Sequence, residues 1–137
     1  MTNVSITVNG CQLIDGQKDI ISTKTVGKLG FRNNKYLIKY NEQDEDGNLT
    51  QTQITVYDSQ ATLKRSGATV STMLIEKGRN HPCSYSVNGI TLDLNVMGKN
   101  VKNNLGLNGG VLTLEYSIYS GNALLSENTT EIILKEV

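Results

Sequence analysis

The sequence predicts an all-β protein, a single antiparallel β-barrel that is mostly a meander of about eight to ten strands. Apolar and polar residues alternate with a period of two, which is the repeat of a strand with one buried face. No apolar stripe at helical spacing extends over about a dozen residues. Asn-Gly and Asp-Gly turns separate the alternating runs, and such turns join neighbouring antiparallel strands. So many strands must either close or split into two sheets, and we favour closure.

The alternating runs define the strands in order along the chain. We predict strands near residues 3–9, 18–29, 34–41, 49–58, 60–66, 69–77, 83–88, 90–102, 110–120 and 124–136. Gly27 and Gly98 fall inside long strands, where glycine commonly marks a bulge or a sharp bend. Asn9-Gly10 is predicted to form a turn, and Pro82 favours a turn at residues 81–83. The clearest candidate for a helical turn is Lys102–Leu107.

Composition limits the partners and the compartment. The chain has 137 residues with 13 basic and 13 acidic side chains, so its formal net charge is zero and a single domain over residues 1–137 is expected. A neutral chain lacks the basic field that binds nucleic acids or anionic membranes. No apolar run is long enough to span a membrane, and the first ten residues do not resemble a signal peptide. For Cys11 and Cys83 we therefore expect reduced thiols in a cytoplasmic protein.

Several short motifs, taken in their order along the chain, resemble a known family. They are Tyr36–Glu42, Asp46-Gly47 with Thr50 and Thr52, Leu63–Gly67, Met73 with Gly78, Tyr85 with Asn88-Gly89, Gly109–Tyr116 and Ser126–Asn128. In this order and spacing they resemble the YwiB-like family of small uncharacterised bacterial proteins. The resemblance spans nearly the whole chain, and it implies a calycin-like, or lipocalin-like, β-barrel without catalytic activity. It implies ligand binding by fold analogy alone.

Arg65 is the most informative single residue. It follows Leu63 by two positions in a predicted strand, so the two side chains face the same way. If Leu63 points into the barrel, the guanidinium of Arg65 must meet a carboxylate, a carbonyl or a bound anion. We expect Arg65 at the barrel rim, paired with Glu42 or a backbone carbonyl. The alternative is that Arg65 binds an anionic ligand.

Aromatic side chains supply the other candidate site residues. Tyr36 and Tyr40 share one face of a predicted strand with basic residues nearby, a pattern that can stack single-stranded bases but is more typical of a core. Tyr116 lies in a run predicted to face inward, with its hydroxyl hydrogen-bonded because a buried phenol needs a partner. The members of that run are Leu112, Leu114, Tyr116 and Ile118.

No motif supports a cofactor, a metal or catalysis. The acidic run at residues 42–48 matches part of a calcium loop, but Gln53 stands where the bidentate Glu belongs, so a hairpin turn is the better interpretation. His81 and Cys83 have neither metal-binding spacing nor a third group for a catalytic triad. We therefore expect no cofactor, no metal and no enzymatic activity.

The predicted function is a non-catalytic binding module that holds a small apolar or amphipathic ligand in the barrel. Its candidate binding residues are Arg65, Tyr36, Tyr40, Tyr116 and Glu42. The alternative is a protein-interaction or structural domain with a filled barrel, which meets a protein partner or a second copy at an edge strand or the acidic loop. Binding of single-stranded nucleic acid is a weaker alternative, and no membrane partner is expected.

The interior of the barrel discriminates between the first two functions. An open cavity in the barrel favours the binding module, whereas a filled core favours the interaction domain.

Overall fold

Ten antiparallel β-strands close into one barrel in the computed structural model, which describes residues 1–137. The strands are β1 (Thr2–Ile14), β2 (Gln17–Arg32), β3 (Lys35–Gln43), β4 (Leu49–Tyr57), β5 (Gln60–Gly67), β6 (Thr69–Glu76), β7 (Asn80–Val87), β8 (Ile90–Gly106), β9 (Gly109–Ser120) and β10 (Ala123–Glu136). Each strand pairs with its neighbours in sequence, and β1 pairs with β10 to close the barrel. The predicted all-β meander barrel is confirmed. No helix of the structure could cross a membrane.

Tight turns with positive φ angles join many of the strands. Asp15 and Gly16 connect β1 to β2 with φ of 49° and 77°, and Asn88 and Gly89 connect β7 to β8 with φ of 53° and 77°. Two successive positive φ angles define a turn whose twist matches the paired strands. Asn9-Gly10 does not form the predicted turn. Gly10 lies inside β1 and pairs with a strand on each side, so its backbone hydrogen bonds are used in the sheet.

Two predicted breaks in the strands are wrong. Lys102–Leu107 is not a helical turn, because β8 continues to Gly106 and its backbone pairs with β9. Pro82 lies within β7, opposite Asn95 of β8, and not in a turn. Proline lacks a backbone donor, but β7 pairs with β6 only where Thr69–Ser71 meet residues 85–87, so no partner strand needs that donor.

Gly98 and Gly27 let strands approach closely. The register of β8 against β9 shifts between Gly98 and Asn100, which confirms the predicted bulge. A side chain at Gly98 would collide with the backbone of Glu76. At Gly27 the register is unbroken and no bulge forms. Glycine is required there because a side chain would collide with the carbonyl oxygen of Lys39.

Inward-facing alternate residues fill one end of the barrel. This end carries the β2–β3, β4–β5, β6–β7 and β8–β9 turns, and we call it the closed end. Its largest fully buried side chains are Ile6, Leu29, Ile38, Ile54, Ile75, Leu112, Leu114, Ile132 and Leu134. The other end, which carries the β1–β2, β3–β4, β5–β6, β7–β8 and β9–β10 turns, is called the mouth.

The barrel wall is open between β2 and β3 at the mouth. Strand β3 pairs with β2 only from Gly27 to Arg32, so residues 17–26 of β2 pair with β1 alone. Ile20, Ile21 and Val26 on this segment are exposed. The segment is therefore a free strand edge beside the mouth.

Candidate functional site

Two adjoining cavities occupy the mouth above the apolar core. One is largely polar and has a volume of about 480 Å³. The other is largely apolar and has a volume of about 300 Å³. Their shared wall residues are Gln12, Arg65, Tyr85, Tyr116 and Asn128. Because five strands contribute these residues, the whole sheet positions the site.

The polar cavity is bordered by carboxylates and hydroxyls. The Glu42 carboxylate accepts a hydrogen bond of 2.9 Å from Thr52 Oγ1. The hydroxyl of Thr50 accepts one of 3.2 Å from the backbone N–H of Thr69. Asp19 and Asp44 complete the acidic border. Three carboxylates and one guanidinium therefore give the polar cavity an excess of negative charge.

The apolar cavity has a single charged residue, Arg65. Ten of its 14 wall residues are hydrophobic. They are Ile14, Met73, Cys83, Tyr85, Leu92, Leu94, Val96, Tyr116, Ile118 and Leu125. Leu92 and Leu125 are exposed at the mouth, so the apolar wall continues to solvent.

Arg65 is half-buried and has no protein partner. Its neighbours in register are Thr52 on β4 and Ser71 on β6, and its guanidinium makes neither an ion pair nor a hydrogen bond. The predicted pairing with Glu42 or a carbonyl is wrong. Glu42 is opposite Thr50, one row nearer the mouth than Thr52 and Arg65, and the Thr52 hydroxyl binds its carboxylate. Arg65 therefore presents an unpaired cation to the cavities.

Ser71 is the register partner of both Arg65 and Tyr85. Only 3% of its surface is exposed, and its hydroxyl has no hydrogen-bond partner. An unsatisfied buried hydroxyl costs about 1 to 3 kcal/mol. The second buried hydroxyl without a partner, that of Ser117, follows the inward-facing Tyr116 and so faces the other side of the sheet.

Tyr40 and Tyr116 both face inward beneath the polar cavity. Burial, and next the negative charge of Glu42, raise the pKa of the Tyr40 hydroxyl above its usual range, and the positive charge of Arg65 opposes them. Tyr116 is buried in line with Leu114, as predicted. Its hydroxyl has no hydrogen bond within the protein, which corrects the prediction. The hydroxyl needs none because Tyr116 borders both open cavities, where water reaches it.

Residues 6–132 match the model of a family described as a domain of unknown function, DUF1934. The chain belongs to the DUF1934 family. A crystal structure of the ywiB protein from Bacillus subtilis has the same fold, with a TM-score of 0.90, 20% sequence identity, and coverage of 99% of this chain and 92% of that chain. This match confirms the predicted resemblance to YwiB-like proteins. Among curated proteins no match was found.

The DUF1934 barrel brings most of the predicted site residues together. Arg65, Glu42 and Tyr116 line the mouth cavities, and Tyr40 lies within electrostatic reach of all three. Tyr36 does not belong to this site. It lies at the closed end, where its ring centroid is 4.7 Å from that of Phe31. Since Tyr40 is buried, the two tyrosines form no exposed face for stacking bases.

Sequence reasoning missed several residues of the site. They are Gln12, Tyr85 and Asn128. Each follows or precedes a buried residue on its strand by an even number of positions, as Gln12 follows Val4 and Ile6. The period of two could have placed them inside, but their meeting point depends on strand register.

The remaining candidates from the sequence are His81, the two cysteines and the acidic run. His81 Nε2 is 3.0 Å from Glu76 Oε1, near the β6–β7 turn at the closed end. Burial raises the pKa of the Cys83 thiol, and the charge of Arg65 opposes this. Cys11 and Cys83 are both free. Asp44 accepts hydrogen bonds from the backbone N–H groups of residues 46 and 48, so the acidic run is a hairpin turn.

A third cavity, about 680 Å³, lies at the closed end and is lined largely by residues of β2, β3 and β4. Gln53 and Thr55 in its wall flank the buried Ile54 and so point away from the barrel interior. No buried polar group without a partner faces this cavity. The mouth cavities therefore form the better candidate site, although they are smaller.

Proposed function

We propose that this protein is a non-catalytic binding module that takes a small amphipathic ligand at the mouth of its barrel. The observation that supports the proposal is the unfilled mouth above a tightly packed closed end. The two cavities, about 480 and 300 Å³, fall within the usual size of small-molecule sites. A barrel whose own side chains filled it would leave no such space.

The composition of the two cavities supports an amphipathic ligand. Apolar groups of the ligand would displace water from Leu94, Ile118 and their neighbours, while polar groups would reach hydroxyls and charges across the shared wall. The single histidine, His81, pairs with Glu76 at the closed end and so does not act as a base at the mouth. Free thiols at both cysteines fit the proposed cytoplasmic location.

Native mass spectrometry of the protein purified from its own host tests this function. We expect an added small-molecule mass that is lost on denaturation. Leu94→Trp, which fills the apolar cavity, should remove the added mass. Val70→Trp is the matched control, because Val70 is exposed near the mouth and alternates with the inward-facing Ser71. Recovery of the bare chain from the wild type under gentle conditions would contradict the proposal.

A second candidate function rests on the free edge of β2. Residues 17–26 of this strand pair on one side only, and Ile20 and Val26 are exposed on it. A second copy of the chain can add its own strand there by backbone hydrogen bonding. Light scattering should then show a dimer that Ile20→Lys dissociates and Val70→Lys, at an exposed residue of β6, does not. A wild-type monomer at every concentration would exclude self-association.

A further inference from the structure

Arg65 and its neighbour Ser71 each carry a hydrogen-bond donor that has no partner in the protein. The two residues are direct register partners on β5 and β6. The guanidinium of Arg65 has several N–H donors and no acceptor in the protein. The Ser71 hydroxyl is also unpaired, but it has almost no exposed surface and lies in the wall of neither cavity, so a ligand can reach Arg65 but not Ser71. A partly buried charge without a partner in the protein favours a bound counterion.

The position of Arg65 between two cavities restricts what the ligand can be. Arg65 is the only charged residue in the wall of the apolar cavity. An anion bound to it can therefore extend an apolar body along Leu94 and Ile118 toward Leu125 at the mouth. The 300 Å³ of this cavity suits a short aliphatic chain or one aromatic ring.

The polar cavity restricts the charge of the ligand. Glu42, Asp19 and Asp44 all border it, so a second negative charge on the ligand would meet three carboxylates. A group with one negative charge and two acceptor oxygens matches the fork of a guanidinium. A polyphosphate carries several negative charges, and these carboxylates would repel it.

We infer that the mouth binds a small monocarboxylate with an apolar body, with the carboxylate on the Arg65 guanidinium where the two cavities meet. This inference rests on the proposed ligand-binding function and adds the class of ligand. Tyr85 also lies in the walls of both cavities. Octanoate is the simplest probe of this class.

Calorimetric titration with octanoate, octanol and octyl phosphate tests the inference. Octanoate should bind the wild type more tightly than octanol, which shares its apolar body, and than the doubly charged octyl phosphate. Arg65→Met should weaken octanoate binding about ten- to hundredfold and leave octanol unchanged, because a charge-assisted hydrogen bond is lost. Lys64→Met, at the exposed residue next to Arg65, is the matched control and should have no effect.

The outcomes separate this inference from the proposed function. Equal affinity for octanoate and octanol overturns the headgroup assignment and leaves an apolar binding module. If neither octanoate nor octanol binds, the headgroup assignment is wrong. The mass measurement alone then decides the proposed function. Because Arg65 has no protein partner, the Arg65→Met apoprotein should melt no lower than the wild type. A large loss of stability in Arg65→Met would instead reveal a protein partner and overturn the inference. Arg65→Lys retains the charge and should bind octanoate with intermediate affinity.

Discussion

The phenol of Tyr40 is buried in the folded protein near the carboxylate of Glu42. Burial and Glu42 raise the pKa of its hydroxyl in the folded state, whereas the unfolded phenol ionises near its ordinary value of about 10. Below that pH both states hold the proton, and above it the unfolded state loses the proton first. The free energy of unfolding should therefore fall as the pH rises above about 10.

Denaturation of the wild type and Tyr40→Phe by urea at several alkaline pH values checks this expectation. The variant should lose less stability than the wild type as the pH rises, because phenylalanine has no proton to release. An equal decline in both proteins would assign the alkaline instability to other groups.

Leu114 tests the packing of the core. Its side chain is fully buried on β9, between Leu112 and Tyr116 on the inward face. Leu114→Ala should reduce the free energy of unfolding by about 2 to 5 kcal/mol, since it removes buried apolar surface and leaves a cavity. Thr113→Ala, on the outward face of the same strand, should change it by less than about 0.5 kcal/mol. A urea midpoint that stays the same in Leu114→Ala would place this run on the surface.

The direction of single side chains could be predicted from the sequence, but their partners could not. The period of two places Arg65 on the same face as Leu63 and Tyr116 on the same face as Leu114, and both placements are correct. Whether Arg65 reaches Glu42 depends on the register of β3, β4 and β5 together. Local alternation contains no information on that register.

Gly98 joins two elements that are distant in sequence. It lies at the bulge of β8, and the backbone of Glu76 at the end of β6 packs against its Cα. Gly98→Ala should destabilise the protein by about 1 to 3 kcal/mol or more, since backbone cannot move aside as a flexible side chain does. Gly106→Ala on the same strand is the control, because its new methyl would approach no atom closer than 3.7 Å. Thermal melts that show equal effects would mean that β6 and β8 do not touch here.

Strand existence was easier to predict than strand ends. All ten predicted strands form, but β8 extends past Lys102 to Gly106, and β7 includes Pro82. Local composition disfavours a strand at both places. Pairing with β9 and β8 respectively outweighs it, because backbone groups in a sheet are hydrogen-bonded cooperatively to their neighbours.

The number of strands predicts a closed barrel, but the site at its mouth depends on the volumes of the side chains that face the interior. A meander of ten strands must close or leave edges, which made the fold predictable. The sum of side-chain volumes in each layer decides whether a layer is filled. Large residues such as Ile38 and Ile54 fill the closed end, whereas Ser71 and Thr52 leave room nearer the mouth. That difference appears only once the layers are known.

The pairing of β1 with β10 can form only late in synthesis, because a ribosome makes β1 first and β10 after the other strands. The other strand pairings join strands that are neighbours in sequence, so they can form as the chain emerges. The pairs Val4–Glu136 and Leu13–Glu127 of β1 and β10 cannot form until the end of β10 has been made. Until then β1 has one row of unpaired backbone groups, and the nascent protein is an open curling sheet. The free edge of β1 is therefore exposed to aggregation until β10 has been made.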